Sequence, residues 1–573
     1  MPHRRWERRL VSLGGALLLL TAQLFVPVTF AAPPRQDVEA RIEAIMAEMT
    51  TAQKVAQLFM VSLWGEALTD EGREFLTTYN PGGVILFGYN VSSPAQITRL
   101  TNSIQQASGE HANGIPAWIA IDQEGGVVSR LPEGFTTFPV SMAVAATGDP
   151  AYARAMGAAM AEEMRAVGIT MDLAPVADVE TNPNNPVIAR RAFSADPRIS
   201  ATMVAATIEG LQGGGVMATA KHFPGHGDTG NDSHVELPIV PLDRERLESV
   251  ELVPFRDAIT ADVGAIMVAH IWYPALDPTP DMPASLSYPV ITGLLREELG
   301  FNGLIMTDAL DMNAIDQQYS LARAAVLAVQ AGADLITPGP HAGLHAQRAA
   351  IEAVISAVED GTIPLSQIED SVRRILRLKA HYGVLDWLPL DPETVEQRIN
   401  REAHEQLVQE ILAAAVTLAY DSGSFVPLDS AQRISLIYPA TYPSIGRICE
   451  AYDPDLRLLG VSEWPVDEEF TWATSAAQWA DVTVVFTYDA YHNPAQQQLV
   501  RSLPPERTIV VALRSPYDRL AFPRISAYML AYTPLSPAIQ ASCAALFGAQ
   551  PIGGVLPVPL GDDLPAGSGL RRP

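Results

Sequence analysis

Eight short β-rich runs recur between residues 40 and 385, and stretches rich in Ala, Glu and Leu separate most of them. The runs are Gln57 to Leu63, Gly83 to Phe87, Ala117 to Ile121, Met171 to Ala174, Val216 to Ala220, Ala265 to Ala269, Gly303 to Thr307 and Asp334 to Thr337. Helical composition fills the gaps, as in Ala151 to Ala166 and Leu321 to Ala331. Strand and helix alternating over about 250 residues or more is the pattern of an α/β fold of the (β/α)8, TIM-type barrel kind. An open doubly wound sheet competes, but no Gly-rich dinucleotide fingerprint follows the first run.

Polar residues fall just beyond these runs. Asp122-Gln123-Glu124-Gly125-Gly126 follows the third, Asp178 the fourth, Lys221-His222 the fifth, His270 the sixth and Asp308 the seventh. In a barrel such ends converge on one face, where active sites lie.

Gly383, Pro389 and Pro392 interrupt the pattern. We therefore expect a catalytic barrel over 40–385, a linker over 386–395 and a smaller α/β sandwich domain over 396–573. In the last, a helical stretch from Val395 to Tyr420 precedes strands at Ile434 to Tyr438, Val482 to Thr487, Thr508 to Leu513 and Ile525 to Tyr532. It carries no comparable charge cluster, so packing or substrate gating is its expected role.

Residues 1–32 read as a cleaved signal peptide, which implies a secreted or extracytoplasmic protein. Arg4, Arg5, Arg8 and Arg9 precede an apolar stretch from Leu10 to Phe30, and Thr29-Phe30-Ala31 offers a cleavage site. A retained membrane anchor is the alternative. The segment carries four Arg and one Glu, so its loss moves the net charge from −27 to −30. So acidic a chain is a poor partner for nucleic acid or anionic lipid. No stable protein partner is expected. Cys449 and Cys543 are the only cysteines and lie outside any CxxC pattern, which excludes a thiolate metal site. They either pair or remain two buried thiols.

The chemistry concentrates in Lys221 to His234, which holds three histidines, two aspartates and a lysine, with three glycines and a proline that disfavour helix or strand. Within it Asp232 and His234 form an Asp-x-His pair. A carboxylate on one imidazole nitrogen fixes the tautomer and makes the other nitrogen more basic, as a general acid and base needs. Asp308 ends the run Leu304-Ile305-Met306-Thr307. A carboxylate at a strand tip can be held rigidly against a substrate as nucleophile. Asp311 is the better candidate for capping the following helix. As a rival reading, His222, His226, Asp228, Asp232 and His234 could bind zinc or a metal pair, with His270 as a distant ligand.

The segment from Lys221 to His234 resembles the signature of glycoside hydrolase family 3, in its β-N-acetylglucosaminidase branch. The likeness extends through Ile121 to Gly126, Ala174 to Val179, Met267 to His270, Pro283 to Ser287 and Thr307 to Met312, and more loosely into the C-terminal third. The resemblance implies that Asp308 is the nucleophile of a covalent glycosyl-enzyme and that His234, paired with Asp232, is the acid/base. It implies that Asp122, Arg130, Lys221 and His222 grip sugar hydroxyls, joined by Arg191, with Arg190 as the neighbouring alternative. No metal or organic cofactor is implied, and the partner is an N-acetylglucosamine-containing glycan from cell wall or chitin. Val127, Asp172 and Ala192 depart from arginine, asparagine and serine common in relatives. A His/Asp pair leaves the site less negative than a second carboxylate would, so phosphate is expected to compete with water as acceptor. The alternatives are a β-glucosidase or β-xylosidase of the same family, or a metal-dependent hydrolase.

Overall fold

The computed structural model describes residues 35–522 and 524–573; the proposed signal segment lies outside them. Seven parallel strands stand side by side in chain order: Met60–Ser62, Gly83–Leu86, Trp118–Ile121, Met171–Asp172, Met217–Phe223, Ala265–Val268 and Leu304–Thr307. Nearly every residue in them is buried, so the runs are mostly apolar rather than alternating, with polar residues gathered towards their ends. The eighth run closes the barrel without forming a regular strand. Met60 N–H donates to the Ile336 carbonyl at 2.9 Å, and Thr307 N–H to that of Leu335 at 3.1 Å. In return Ile336 N donates to the Leu58 carbonyl at 2.7 Å and Leu335 N to that of Ile305 at 3.1 Å, and side chains supplement these backbone bonds. The Asp334 carboxylate accepts from Ile305 N at 2.9 Å, and Thr307 Oγ1 accepts from Thr337 N at 3.0 Å.

The outer helices begin where the sequence caps them. Asp149 and Asp196 each accept a backbone N–H of the first turn, and a proline occupies the first helical position. The two helices they start, Pro150–Ala166 and Pro197–Gly213, approach closely. A Cβ on Gly157 would lie 2.7 Å from the Thr207 carbonyl oxygen, so a larger residue would force them apart.

The second sheet runs in the order Thr417–Asp421, Ala527–Leu530, Thr508–Ala512, Val482–Thr487, Ile434–Pro439 and Arg457–Val461, with only the first pair antiparallel. Two of these strands differ from the expectation. The helix proposed over Val395 to Tyr420 is Arg401–Ala415, and the chain turns straight into a strand at Thr417. Arg457–Val461, absent from the expected set, is a half-exposed edge strand whose short apolar run is broken by Gly460. Cys449 and Cys543 are joined as a disulfide, which settles the choice between a pair and two free thiols.

The C-terminal part buttresses the barrel. Val555 N donates to the Ala146 carbonyl at 2.8 Å, and Ala195 N to that of Pro557 at 3.1 Å. His404 Nδ1 meets the buried Glu163 carboxylate at 2.9 Å.

Candidate active site

The ends of the third, fourth, fifth and seventh strands bring most of the candidate residues to one place. Asp122, Arg130, Arg191, Lys221, His222, His234 and Asp308 all line one cavity of about 520 Å³. Asp232 is bonded to His234 from behind.

Lys221 and His222 belong to the fifth strand, which runs on to Phe223, rather than to the loop expected from their charge. They are tolerated there because each is paired. Lys221 Nζ contacts Asp122 Oδ1 at 2.8 Å and Glu124 Oε1 at 2.7 Å. His222 Nδ1 lies 2.8 Å from Asp178 Oδ2. Burial alone would push the Glu124 carboxyl up, but Lys221 and Arg191 hold it well below the usual carboxylate range. Burial likewise opposes the Lys221 charge, and Asp122 and Glu124 reverse that and raise its pKa. Removing one member would strand a buried charge, which costs roughly 3–5 kcal/mol.

Glu124 is the residue that sequence reasoning passed over. Its two oxygens receive Arg191 Nε and Nη2, both at 2.8 Å. Its position in Asp-Gln-Glu-Gly-Gly at a strand end was the available signal. The same geometry separates the adjacent arginines: Arg191 faces the cavity, whereas Arg190 Nη1 donates to the Tyr532 carbonyl of the second domain at 2.9 Å. That contact, with Ser194 donating to Pro557, pins the Arg191 loop from behind. Arg130 sits 3.9 Å from Asp122. Asp172 is buried beside this network and does not line the cavity. Its Oδ1 accepts from Gln123 N at 3.0 Å, and burial raises its carboxyl well above the ordinary range.

Asp308 is set by its strand. Its N–H donates to the Val268 carbonyl at 3.0 Å, and its Oδ1 accepts from Ala309 N at 2.7 Å. Burial pushes its carboxyl up, but His270, His222, the Ala309 N–H and Lys221 outweigh this and lower it. His270 lies beneath, with Nε2 2.9 Å from the Ala309 carbonyl and Nδ1 2.7 Å from Ser285 Oγ. A carbonyl only accepts, so Nε2 carries a proton. Asp311 does not cap the next helix, whose N-cap is Met312. It instead accepts from His341 N at 2.6 Å and Ala342 N at 3.0 Å.

Asp232 Oδ1 accepts from His234 Nδ1 at 2.7 Å and from His234 N at 2.8 Å. Burial would raise the Asp232 carboxyl, and these two bonds lower it instead. The His234 side chain is 64% exposed. Its loop is nonetheless rooted. A Cβ on Gly227 would collide with the Val179 carbonyl, so only glycine lets the loop lie on the fourth-strand segment. Buried His226 bonds Thr229 Oγ1 at 2.8 Å and Ser233 Oγ at 3.1 Å.

Burial lowers the His226 pKa from 6.5 to about 4. A neutral form favoured by folding costs nothing above the unfolded pKa. As pH falls from 6.5 towards 4, the unfolded chain binds a proton that the folded chain refuses. We expect this group to remove about 3 kcal/mol of stability across that window. Urea unfolding at pH 7 and pH 4.5 checks it, with His226→Asn showing the smaller drop.

For the metal reading, His222, His226 and His234 each bond different partners, Asp178, Thr229 with Ser233, and Asp232. Among the described residues no group of three or more His, Cys, Asp or Glu is placed to hold a metal ion.

Residues 50–378 match the Glycosyl hydrolase family 3 N terminal domain. The chain belongs to glycoside hydrolase family 3. It is 34% identical over 472 residues to beta-hexosaminidase A of Pseudoalteromonas piscicida, covering 73% of this chain and 78% of that one. A beta-hexosaminidase of Alkalilimnicola ehrlichii is 37% identical over 353 residues, 61% of this chain and 95% of that one. A solved family 3 β-N-acetylglucosaminidase from Paenibacillus sp. str. FPU-7 superposes with a TM-score of 0.79 at 36% identity, over 89% of this chain and 99% of that one. The family 3 protein described here is thus a glycoside hydrolase, with a barrel followed by an α/β sandwich domain.

Proposed function

We propose that the protein is an exo-acting, retaining β-N-acetylglucosaminidase that removes terminal β-linked N-acetylglucosamine from cell-wall fragments or chitin oligosaccharides. The observation that carries this reading is that Asp308 and His234 line one cavity, together with the Lys221, Asp122, Arg130 and Arg191 network. Buried charged donors and acceptors of that kind suit sugar hydroxyls. An Asp308 oxygen attacks the anomeric carbon while His234 Nε2–H protonates the departing glycosidic oxygen, giving a glycosyl ester and a free alcohol. His234 then takes a proton from water, which attacks the same carbon. The ester bond breaks, Asp308 is freed and the configuration is retained. Asp232 on Nδ1 leaves Nε2 as the working nitrogen. The glycine-bearing loop closes over substrate and excludes bulk water.

Initial rates on an aryl β-N-acetylglucosaminide and the matching β-glucoside, each with and without a chelator, test this. We expect fast, chelator-resistant turnover of the N-acetyl substrate only. Preference for the glucoside would contradict the substrate class, and loss with chelator would contradict the metal-free mechanism.

We further propose an extracytoplasmic location. The disulfide fits an oxidising compartment, and the basic-then-apolar N-terminus fits export. An N-terminus near residue 33 on the exported protein is the expected result; a chain starting at Met1 in the membrane fraction would indicate the retained anchor instead.

A further inference from the structure

Counted from Ile434–Pro439, the parallel strands of the second sheet lie in the order second, first, third, fourth, fifth. The chain leaves the first strand towards one edge and the third towards the other, so the loops after these two strands part. Open α/β sheets take ligands in the crevice that forms there, beyond the carboxyl ends of the strands.

The side chains at this crevice are aromatic and cationic. Tyr442 follows the first strand and Tyr488 the third, and their rings lie 5.3 Å apart at 35°. Arg514 follows the fourth strand, with its guanidinium 5.5 Å from the centre of the Tyr488 ring. Asp489 Oδ2 holds Arg514 Nη1 at 3.0 Å, and Asp489 Oδ1 lies 3.1 Å from His492 Nδ1. Both oxygens of this carboxylate are therefore already shared. Glu463, after the second strand, is taken up by Thr441 Oγ1 at 2.8 Å.

Arg190 enters from the barrel. Its guanidinium makes one hydrogen bond among the described residues, to the Tyr532 carbonyl at 2.9 Å and not to a carboxylate. Burial and the Arg514 charge push it down to about 10, so it stays charged at neutral pH. Two guanidinium groups thus meet with one shared carboxylate between them, in a chain of net charge −27. Burying a cation without its own anion is costly. The backbone adds to that cost. Ala189, Asp489 and Tyr532 hold left-handed conformations, at φ 43°, 58° and 62°. This region is unfavourable for alanine and tyrosine, and such strain collects at ligand sites.

We propose that Arg190, Arg514, Tyr442 and Tyr488 form a binding site for an oxyanion, a carboxylate or phosphate group, in the crevice of the second domain. The two guanidinium groups bind its oxygens. Burial and Tyr488 push the Tyr442 hydroxyl up, so it stays a donor to the same group. The Tyr442 and Tyr488 rings give an apolar wall for whatever carries the anion. Arg190 is joined directly to Arg191, which faces the catalytic cavity, so the anion sits one residue behind that cavity. Two sources share this chemistry: free phosphate, and the carboxylate of an acidic cell-wall sugar.

The test is calorimetric titration of the full chain at low ionic strength with inorganic phosphate, N-acetylmuramic acid and N-acetylglucosamine, repeated with Arg190→Gln, Arg514→Gln and Arg514→Lys. We expect at least one of the two anions to bind with a dissociation constant of about 1 mM, weakened about tenfold or more by either Gln substitution. Arg514→Lys keeps the charge and should lose less. N-acetylglucosamine lacks the carboxylate, so no substitution should change its behaviour. Binding of phosphate alone would make the free anion the ligand, and tighter binding of N-acetylmuramic acid would make it the acidic sugar. Binding of neither anion, or binding that both Gln variants leave unchanged, would overturn the site.

Discussion

Replacing Asp308 with Asn lowers kcat/KM for an aryl β-N-acetylglucosaminide by about 10⁴-fold or more, while the protein stays folded. The amide keeps an oxygen to accept from Ala309 N, the one hydrogen bond that the carboxylate takes from the described residues. What it loses is a negative oxygen able to form an ester at the anomeric carbon. The surroundings lower the Asp308 carboxyl below its ordinary 3.8 despite burial, so the group is charged across the working pH range. Any loss of rate between pH 5 and 7 therefore belongs to another group. Unchanged thermal melting beside the lost rate separates chemistry from folding. A loss below about tenfold would remove Asp308 from the role of nucleophile.

His234→Ala depends on the leaving group. With an unactivated sugar or alkyl alcohol departing, we expect a loss of about 10²- to 10⁴-fold. With an activated aryl group, which departs without a proton, the first step is nearly unchanged and the second slows, because no base is left to deprotonate water. A rapid burst of aryl alcohol followed by slow turnover is the expected trace. The exposed side chain makes few packing contacts, so stability should barely change. Equal losses on both leaving groups would argue against the acid role.

Much of this fold was legible because parallel barrel strands are buried on both faces and appear as short apolar runs. The eighth run was legible as a segment, but not as a pair of isolated bridges that the side chains of Asp334 and Thr307 reinforce. The strand at Thr417 was hidden because Ala413-Ala414-Ala415 leads into it without a turn residue, so helix composition ran on. At the site, the Asp-x-His spacing and the strand-tip aspartate are local signals. The pairing of Lys221 with Glu124, and of His222 with Asp178, is not local. No spacing rule says which of several carboxylates meets which cation across 97 or 44 residues. Arg190 and Arg191 are adjacent in the chain, and only the packing of the second domain sends one outward and the other into the cavity.

The central claim is a covalent glycosyl-enzyme on Asp308. Its most direct test is the mass of the His234→Ala protein quenched during the slow second step with an aryl β-N-acetylglucosaminide, followed by peptide mapping. The account predicts one added N-acetylhexosaminyl group, on the peptide that contains Asp308. An adduct on another residue, or no adduct together with a product of inverted configuration, would contradict it.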